Sequence, residues 1–173
     1  MFFIQMSGFP GSGKSTLSRQ IAKQTGAVLI DHDIVKSALL ESIEDDIDNR
    51  LAGKISYNID WSLIEFHLSQ GHNVIFDSPC LYEELVLKGT DLCNKFNAKY
   101  KYVECYLEDP KEINFRLKNR KRMASQIKEI TSEDAFRHTI RNSKKPTNIK
   151  CLLVDTSKPL ESYVDKVMEY IKE

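Results

Sequence analysis

Eight residues near the start of the chain, Gly8-Phe9-Pro10-Gly11-Ser12-Gly13-Lys14-Ser15, follow the pattern G-x-x-x-x-G-K-[ST], with Thr16 next. That spacing constrains everything around it. Glycines let the backbone turn tightly and aim successive N–H groups inward, forming a concave nest for anionic oxygens. Such a nest needs a strand to deliver the chain to the loop and a helix whose positive end faces the same anion. Both are in place: the apolar run Phe2–Met6 precedes the loop, and the amphipathic run Lys14–Gln24 follows it and stops at Gly26. In this arrangement Lys14 reaches the β- and γ-phosphates of a nucleoside triphosphate, and the Ser15 hydroxyl takes one position on Mg²⁺. The candidate nucleotide-binding residues are therefore Gly8, Pro10, Gly11, Ser12, Gly13, Lys14, Ser15 and Thr16.

Four more short apolar runs read as strands: Ala27–Ile30, Asn73–Asp77, Tyr100–Leu107 and Cys151–Asp155. Several are almost continuously apolar, as expected where helices cover both faces of a sheet. Helical patterns lie between them. One spans Ile34–Leu40, and another spans Asn58–Gln70, carrying Ile59, Leu63 and Phe66 before stopping at Gly71. Asp109-Pro110-Lys111-Glu112 has the cap, first-turn proline and third-position glutamate of a helix start. Thr131-Ser132-Glu133-Asp134 reads as a further start, and a last helix opens at Pro159 with Leu160, Val164, Val167, Met168 and Ile171 on one stripe. Strand–helix alternation of this kind predicts βαβ crossovers and a parallel α/β sheet. At 173 residues the expectation is a single domain, residues 1–173.

Charge removes one class of function. The 25 basic residues balance 25 acidic ones, which disfavours a chain whose main task is to neutralise a nucleic-acid backbone. Cys80, Cys93, Cys105 and Cys151 form no C-x-x-C pair, so neither a zinc ribbon nor a thioredoxin-like site is expected, only reduced thiols. His32, His67, His72 and His138 form no ligand cluster and are expected at the surface or flanking helices. The segment Met1–Met6 has no charged leader, and no run approaches the ~20 apolar residues of a membrane span, so a cytoplasmic protein is expected. Two stretches stand out in composition: acidic Glu41–Asp48 and basic Arg116–Arg122.

A GTPase pattern is missing, because Asp77-Ser78-Pro79-Cys80 lacks the glycine of D-x-x-G and Asn94-Lys95-Phe96-Asn97 lacks the aspartate of N-K-x-D. Small phosphotransferases remain. The chain resembles the P-loop kinases of the nucleoside-monophosphate-kinase-like group, especially the small AAA_33-type ATP-binding proteins related to polynucleotide-kinase, shikimate-kinase and zeta-toxin domains. The resemblance covers essentially the whole chain. It implies a three-layer P-loop fold: a five-stranded parallel sheet ordered 2-3-1-4-5, helices on both faces, and a small lid over about residues 116–145. It also implies ATP and Mg²⁺, and transfer of the γ-phosphoryl group to the hydroxyl of a small acceptor.

The resemblance assigns further residues. Ile30-Asp31-His32-Asp33 is similar to the acceptor side of these kinases: Asp33 would take the acceptor's proton and Asp31 would support the Mg²⁺ shell. The same pair would also serve as an N-cap opening the helix over Ile34–Leu40. Asp77, after Val74-Ile75-Phe76, resembles a Walker B aspartate that would hold Mg²⁺; a turn aspartate ending a strand is the plainer alternative. Arg116, Arg120 and Arg122 resemble arginines of a closing lid, with Arg116 and Arg120 expected on one helix face. A solvated basic face is the bland reading of that stretch. A nucleic-acid groove continuing through Arg137, Arg141, Lys144 and Lys145 is another, disfavoured because Phe115 and Phe136 fit helix cores better. The loop Asp155–Pro159 resembles an adenine-side loop, and Arg50, Lys54 and Tyr57 fall where an acceptor lid would lie. Two rivals to a small-molecule kinase stay open: a polynucleotide 5′-hydroxyl kinase and an ATP-gated binding protein with little transfer activity.

Overall fold

The computed structural model describes residues 1–43 and 47–173, so part of the acidic stretch Glu41–Asp48 lies outside the described residues. Five strands form one parallel sheet in the order β2-β3-β1-β4-β5, as expected. β1 (Phe2–Ser7) is central, flanked by β3 (Val74–Asp77) and β4 (Lys99–Tyr106), with β2 (Val28–Asp31) and β5 (Cys151–Asp155) at the edges. Alternate residues of β1 feed opposite faces, the consequence of the strand's two-residue period. Phe3 joins Trp61, Ile64, Phe76 and Leu92 beneath α3 (Asn49–Ser69) and α4 (Glu83–Phe96). Ile4 and Met6 join Leu17, Ile21, Val103 and Val167 beneath α1 (Lys14–Thr25) and α7 (Val164–Lys172). A third cluster of Ile113, Leu117 and Phe136 packs α5 (Pro110–Asn119) and α6 (Glu133–Arg141) against Phe9 of the phosphate loop.

Several boundaries differ from expectation, each for a physical reason. α3 begins at Asn49 rather than Asn58, because Asp48 caps it: its carboxylate accepts from the Arg50 and Leu51 amides, both at 3.1 Å. The face it buries is Ala52, Ser56, Asp60, Trp61, Ile64 and Leu68, whereas Ile59, Leu63 and Phe66 face outward. The stripe that suggested the helix is therefore not the one that anchors it. At the C-terminal end, a short 3₁₀ turn over Leu160–Ser162 follows Pro159, and the Ser162 hydroxyl donates to the Pro159 carbonyl at 2.7 Å before α7 begins. α2 (His32–Ser42) starts at His32, with Asp31 rather than Asp33 as its cap. Among the described residues no helix is long and apolar enough to cross a membrane.

β1, β2 and β3 end at Ser7, Asp31 and Asp77. In a parallel sheet these carboxyl ends form the crevice where ligands sit.

Candidate active site

The phosphate loop leaves β1 at Ser7 and enters α1 at Lys14. Gly8 takes φ 133°, and a side-chain carbon there would lie 2.2 Å from the Cys105 carbonyl oxygen, so only glycine fits against β4. Gly13 precedes α1 at φ 88° and provides no side-chain cap, and the first turn of α1 carries no acidic residue. The first amides of α1 thus stay without a side-chain acceptor, the condition under which a helix start attracts an anion. The buried Ser12 hydroxyl also has no partner among the described residues. Lys14 folds back along the loop, and its ammonium donates to the carbonyls of Gly8 at 2.8 Å and Phe9 at 3.2 Å.

The loop opens into a cleft of about 690 Å³. Pro10, Gly11, Gly13, Lys14, Ser15 and Thr16 line one wall, while Gly8 and Ser12 lie behind it. Asp31, Asp33 and Asp77 line the floor, so all three expected carboxylates meet the loop in one space. Asp77 is buried and accepts from the Ser18 hydroxyl at 3.1 Å. Asp31 is buried as well, accepts from the Asp33 amide at 3.0 Å, and lies 3.6 Å from Arg19. Burial first, then the neighbouring carboxylates Asp77 and Asp33, push its acid up to about 6. Crowded carboxylates beside a loop hydroxyl make a donor set suited to a hard cation. Magnesium is commonly held by one or two carboxylates together with phosphate oxygens and water, so Ser15, Asp77 and Asp31 fit it.

Arg116, Arg120 and Lys121 also line the cleft, Arg116 beside Gly13, but Arg122 does not. Arg116 is held at both ends of its guanidinium, donating to Glu112 at 2.8 Å and to the Thr156 carbonyl at 2.9 Å. The expectation that Arg116 and Arg120 share a helix face is corrected. α5 stops at Asn119, and Arg120 has extended backbone, so the arginines reach the cleft from a helix and from a loop. Arg120 donates to the Ile127 carbonyl at 3.2 Å while its Nε is buried without a partner among the described residues, and burial lowers its pKa. Arg122 turns aside to the Gln126 carbonyl at 3.1 Å.

Two aromatic and histidine expectations also change. Phe136 is a core residue as expected, edge-on to Phe9 at 4.8 Å, but Phe115 is 64% exposed and lines the cleft. Its helix buries Ile113 and Leu117, which leaves position 115 on the open face. His32 is not a surface residue. Its Nδ1 lies 2.6 Å from the carboxylate of fully buried Asp60, and its ring stacks on Tyr57 at 4.0 Å. This cluster ties α2 to α3; no sequence spacing pointed to it, because the partners are 28 positions apart. Thr156 and Lys158 line the cleft beside Gly13, whereas Arg50 and Lys54 are not among its lining residues. All four cysteines are free.

Part of the basic stretch in and after α6 is paired within the chain. Lys145 pairs with the largely buried Glu104, Arg137 pairs with Glu133, and the Lys144 amide donates to the Cys80 carbonyl at 3.0 Å. Among the described residues no group of three or more His, Cys, Asp and Glu side chains is arranged to hold a metal ion unaided.

A proposed kinase from Chloroflexus aurantiacus j-10-fl superposes with a TM-score of 0.78, covering 98% of this chain and 97% of that one at 17% identity. The APS kinase CysC of Mycobacterium tuberculosis, in complex with AMPPNP and APS, gives 0.68 over 99% and 98% at 14% identity. A gluconokinase from Sinorhizobium meliloti 1021 gives 0.63 over 99% and 91% at 17% identity. At these identities the likeness is one of fold. No curated protein matches the sequence. The family model AAA_33, described as an AAA domain, matches residues 3–154, and so spans the phosphate loop, every strand but the first residue of β1 and the last of β5, and both arginine elements. The chain belongs to the AAA_33 family and is a small P-loop protein of the nucleoside-monophosphate-kinase-like group.

Proposed function

We propose that the protein is a cytoplasmic kinase that moves the γ-phosphoryl group of ATP to a hydroxyl of a small-molecule acceptor. One observation carries this reading: a single cleft is lined by Lys14 and Ser15, by Asp31, Asp33 and Asp77, and by Arg116 and Arg120. Lys14 and the loop amides hold the β- and γ-phosphates. Ser15, Asp77 and Asp31 would hold Mg²⁺, which when bound neutralises phosphate charge. Asp33 orients the acceptor hydroxyl and takes its proton as the acceptor oxygen bonds to the γ-phosphorus. The bond from that phosphorus to the bridging oxygen breaks, and its electron pair leaves with ADP. Arg116 and Arg120 offset charge on the migrating group, Arg122 supports the closing segment from outside the cleft, and residues about 116–145 act as the lid.

A small acceptor is favoured over a polynucleotide because the 25 basic residues are balanced by 25 acidic ones and Lys145 is already paired with Glu104 within the fold. The test is acceptor-stimulated ADP release across a panel of hydroxyl-bearing metabolites, D-gluconate included, and a 5′-hydroxyl oligonucleotide. Stimulation by a small alcohol, lowered by ~10²–10⁴-fold in Asp33→Asn with ATP affinity unchanged, is the expected result. Since the transition state is loose, the lower end of that range is expected. Stimulation only by the oligonucleotide moves the assignment to a polynucleotide kinase. Tight ATP binding with no stimulation by any acceptor makes it a nucleotide-gated binding protein.

A further inference from the structure

Between α5 and α6 the chain lays Ser125 and Gln126 against the first turns of α2. Ser125 makes the dock. Its amide donates to the Ser37 hydroxyl at 3.1 Å, its own hydroxyl donates to the Asp33 carbonyl at 3.1 Å, and the two hydroxyls lie 2.8 Å apart. Each hydroxyl has one proton, and that of Ser125 is committed to the carbonyl, so Ser37 donates to Ser125. The dock is therefore complete without any side chain from position 126.

Gln126 makes a different contact. Its Nε2 donates to Oδ2 of Asp33 at 2.8 Å, while its Oε1 accepts from the Met123 amide at 3.2 Å. A backbone N–H can only donate, so it fixes which end of the amide faces Asp33: the nitrogen. Asp33 needs such a partner, because the torsion that orients a carboxylate plane is broad and is not set by rotamer preference. Oδ1 of Asp33 has no hydrogen-bond partner among the described residues, and the carboxylate lines the cleft.

We propose that Gln126 is the positioning residue for Asp33: its amide holds Oδ2 and so presents Oδ1 to the acceptor hydroxyl. The inference rests on the reading of Asp33 as the acceptor-side base. It assigns a residue 93 positions away to the acceptor side of the site, although no motif marks it. Gln126 also lines the cleft, and the role assigned to it is exerted through the carboxylate it orients.

A double-mutant cycle separates this role from a latch on the closing segment. The probe is single-turnover ATP hydrolysis with Mg²⁺, in which water takes the acceptor's place, alongside calorimetric affinity for AMPPNP. Gln126→Ala is expected to slow hydrolysis on the order of 10-fold, the range seen when a supporting partner of a site residue is lost, with AMPPNP affinity unchanged. Gln126→Glu keeps the length but presents an acceptor to Asp33, and should be at least as slow. In an Asp33→Asn background neither change should slow the reaction further, because no base is left to orient. Asparagine can still accept from Gln126, so a latch would survive in that background. Additive losses there would make Gln126 a latch and overturn the inference. So would wild-type hydrolysis in Gln126→Ala while Asp33→Asn is impaired, an outcome that leaves the reading of Asp33 standing. A wild-type rate in Asp33→Asn itself removes that reading and this inference together.

Discussion

Asp31 and Asp77 close adjacent strands at the same register, so two buried carboxylates end β2 and β3 side by side at the floor of the cleft. The arrangement works against the empty protein. Two like charges placed together out of water raise each other's energy, and Asp31 responds with an acid pushed from 3.8 up to about 6 by burial, Asp77 and Asp33.

The first prediction concerns pH and stability. With its folded value above the unfolded one, Asp31 binds more protons in the native protein than in the unfolded chain between pH 3.8 and about 6. Stability therefore falls as pH rises through that interval, and the full penalty applies above it. Asp31→Asn removes the penalty while preserving a good helix cap. At pH 7.5 the variant should be more stable by on the order of 1 kcal/mol, a rise of about 2–4 °C in Tm. The difference should vanish below pH 3.8. Thermal melts across this range decide it, and a gap that widens toward acid would contradict the assignment.

Lys14→Ala should lower kcat/KM for ATP turnover by about 10²–10³-fold, the usual loss for one preorganised donor. The ammonium rests on two loop carbonyls rather than on a carboxylate, so its removal leaves no unpaired buried charge. Unfolding should accordingly change little. Wild-type ATP affinity and turnover in this variant would remove the nucleotide from the loop.

Gly89 is a packing glycine inside α4. A side-chain carbon there would lie 2.9 Å from Oε1 of Gln5, 3.0 Å from the Tyr100 hydroxyl and 3.1 Å from Phe3. These atoms cannot retreat easily, since Gln5 bridges the Tyr100 hydroxyl and the buried Cys80 sulfur. Overpacking of about 1–3 kcal/mol should exceed the gain of about 1 kcal/mol that alanine brings to a helix. Gly89→Ala is expected to lower the denaturant midpoint; a raised midpoint would show that the network yields.

Asp60→Ala should destabilise by about 1–3 kcal/mol, the cost of leaving a buried hydrogen-bonding group without its partner. His32 would be left 6% exposed without its carboxylate. Urea unfolding with an unchanged slope measures the loss. A shift below about 1 kcal/mol would mean that the pair is dispensable for joining α2 to α3.

Local chemistry was readable in the sequence; long-range pairing was not. The strands followed from apolar runs alternating with helices, their order from the family resemblance, and the phosphate loop from spacing alone. α3 was read too short because Ile59, Leu63 and Phe66 look like a buried stripe, while its true start depends on Asp48 within an acidic stretch. Phe115 was misplaced for a related reason: hydrophobic character says nothing about which face of α5 meets the core. His32, Gln126 and the partners of Arg116 share a deeper difficulty. Their contacts join residues 28, 93 and 40 positions apart, and a single sequence carries no mark of such pairings.

The strand order has a consequence in time. β1 comes first, yet its two neighbours are β3 and β4, so Phe3 must wait for Val74 and Tyr100 before either edge is satisfied. Pairing across such distances is slow to form, since a long loop must close before the contact stabilises anything. The phosphate loop, written among the earliest residues, cannot settle until its glycine meets the carbonyl of Cys105, and the cleft gains its last wall only with Thr156 and Lys158. The cleft's residues come together only once β1, β4 and the loop after β5 are all in place. Binding of ATP by a growing or truncated chain would therefore report that nearly the entire sheet has been assembled.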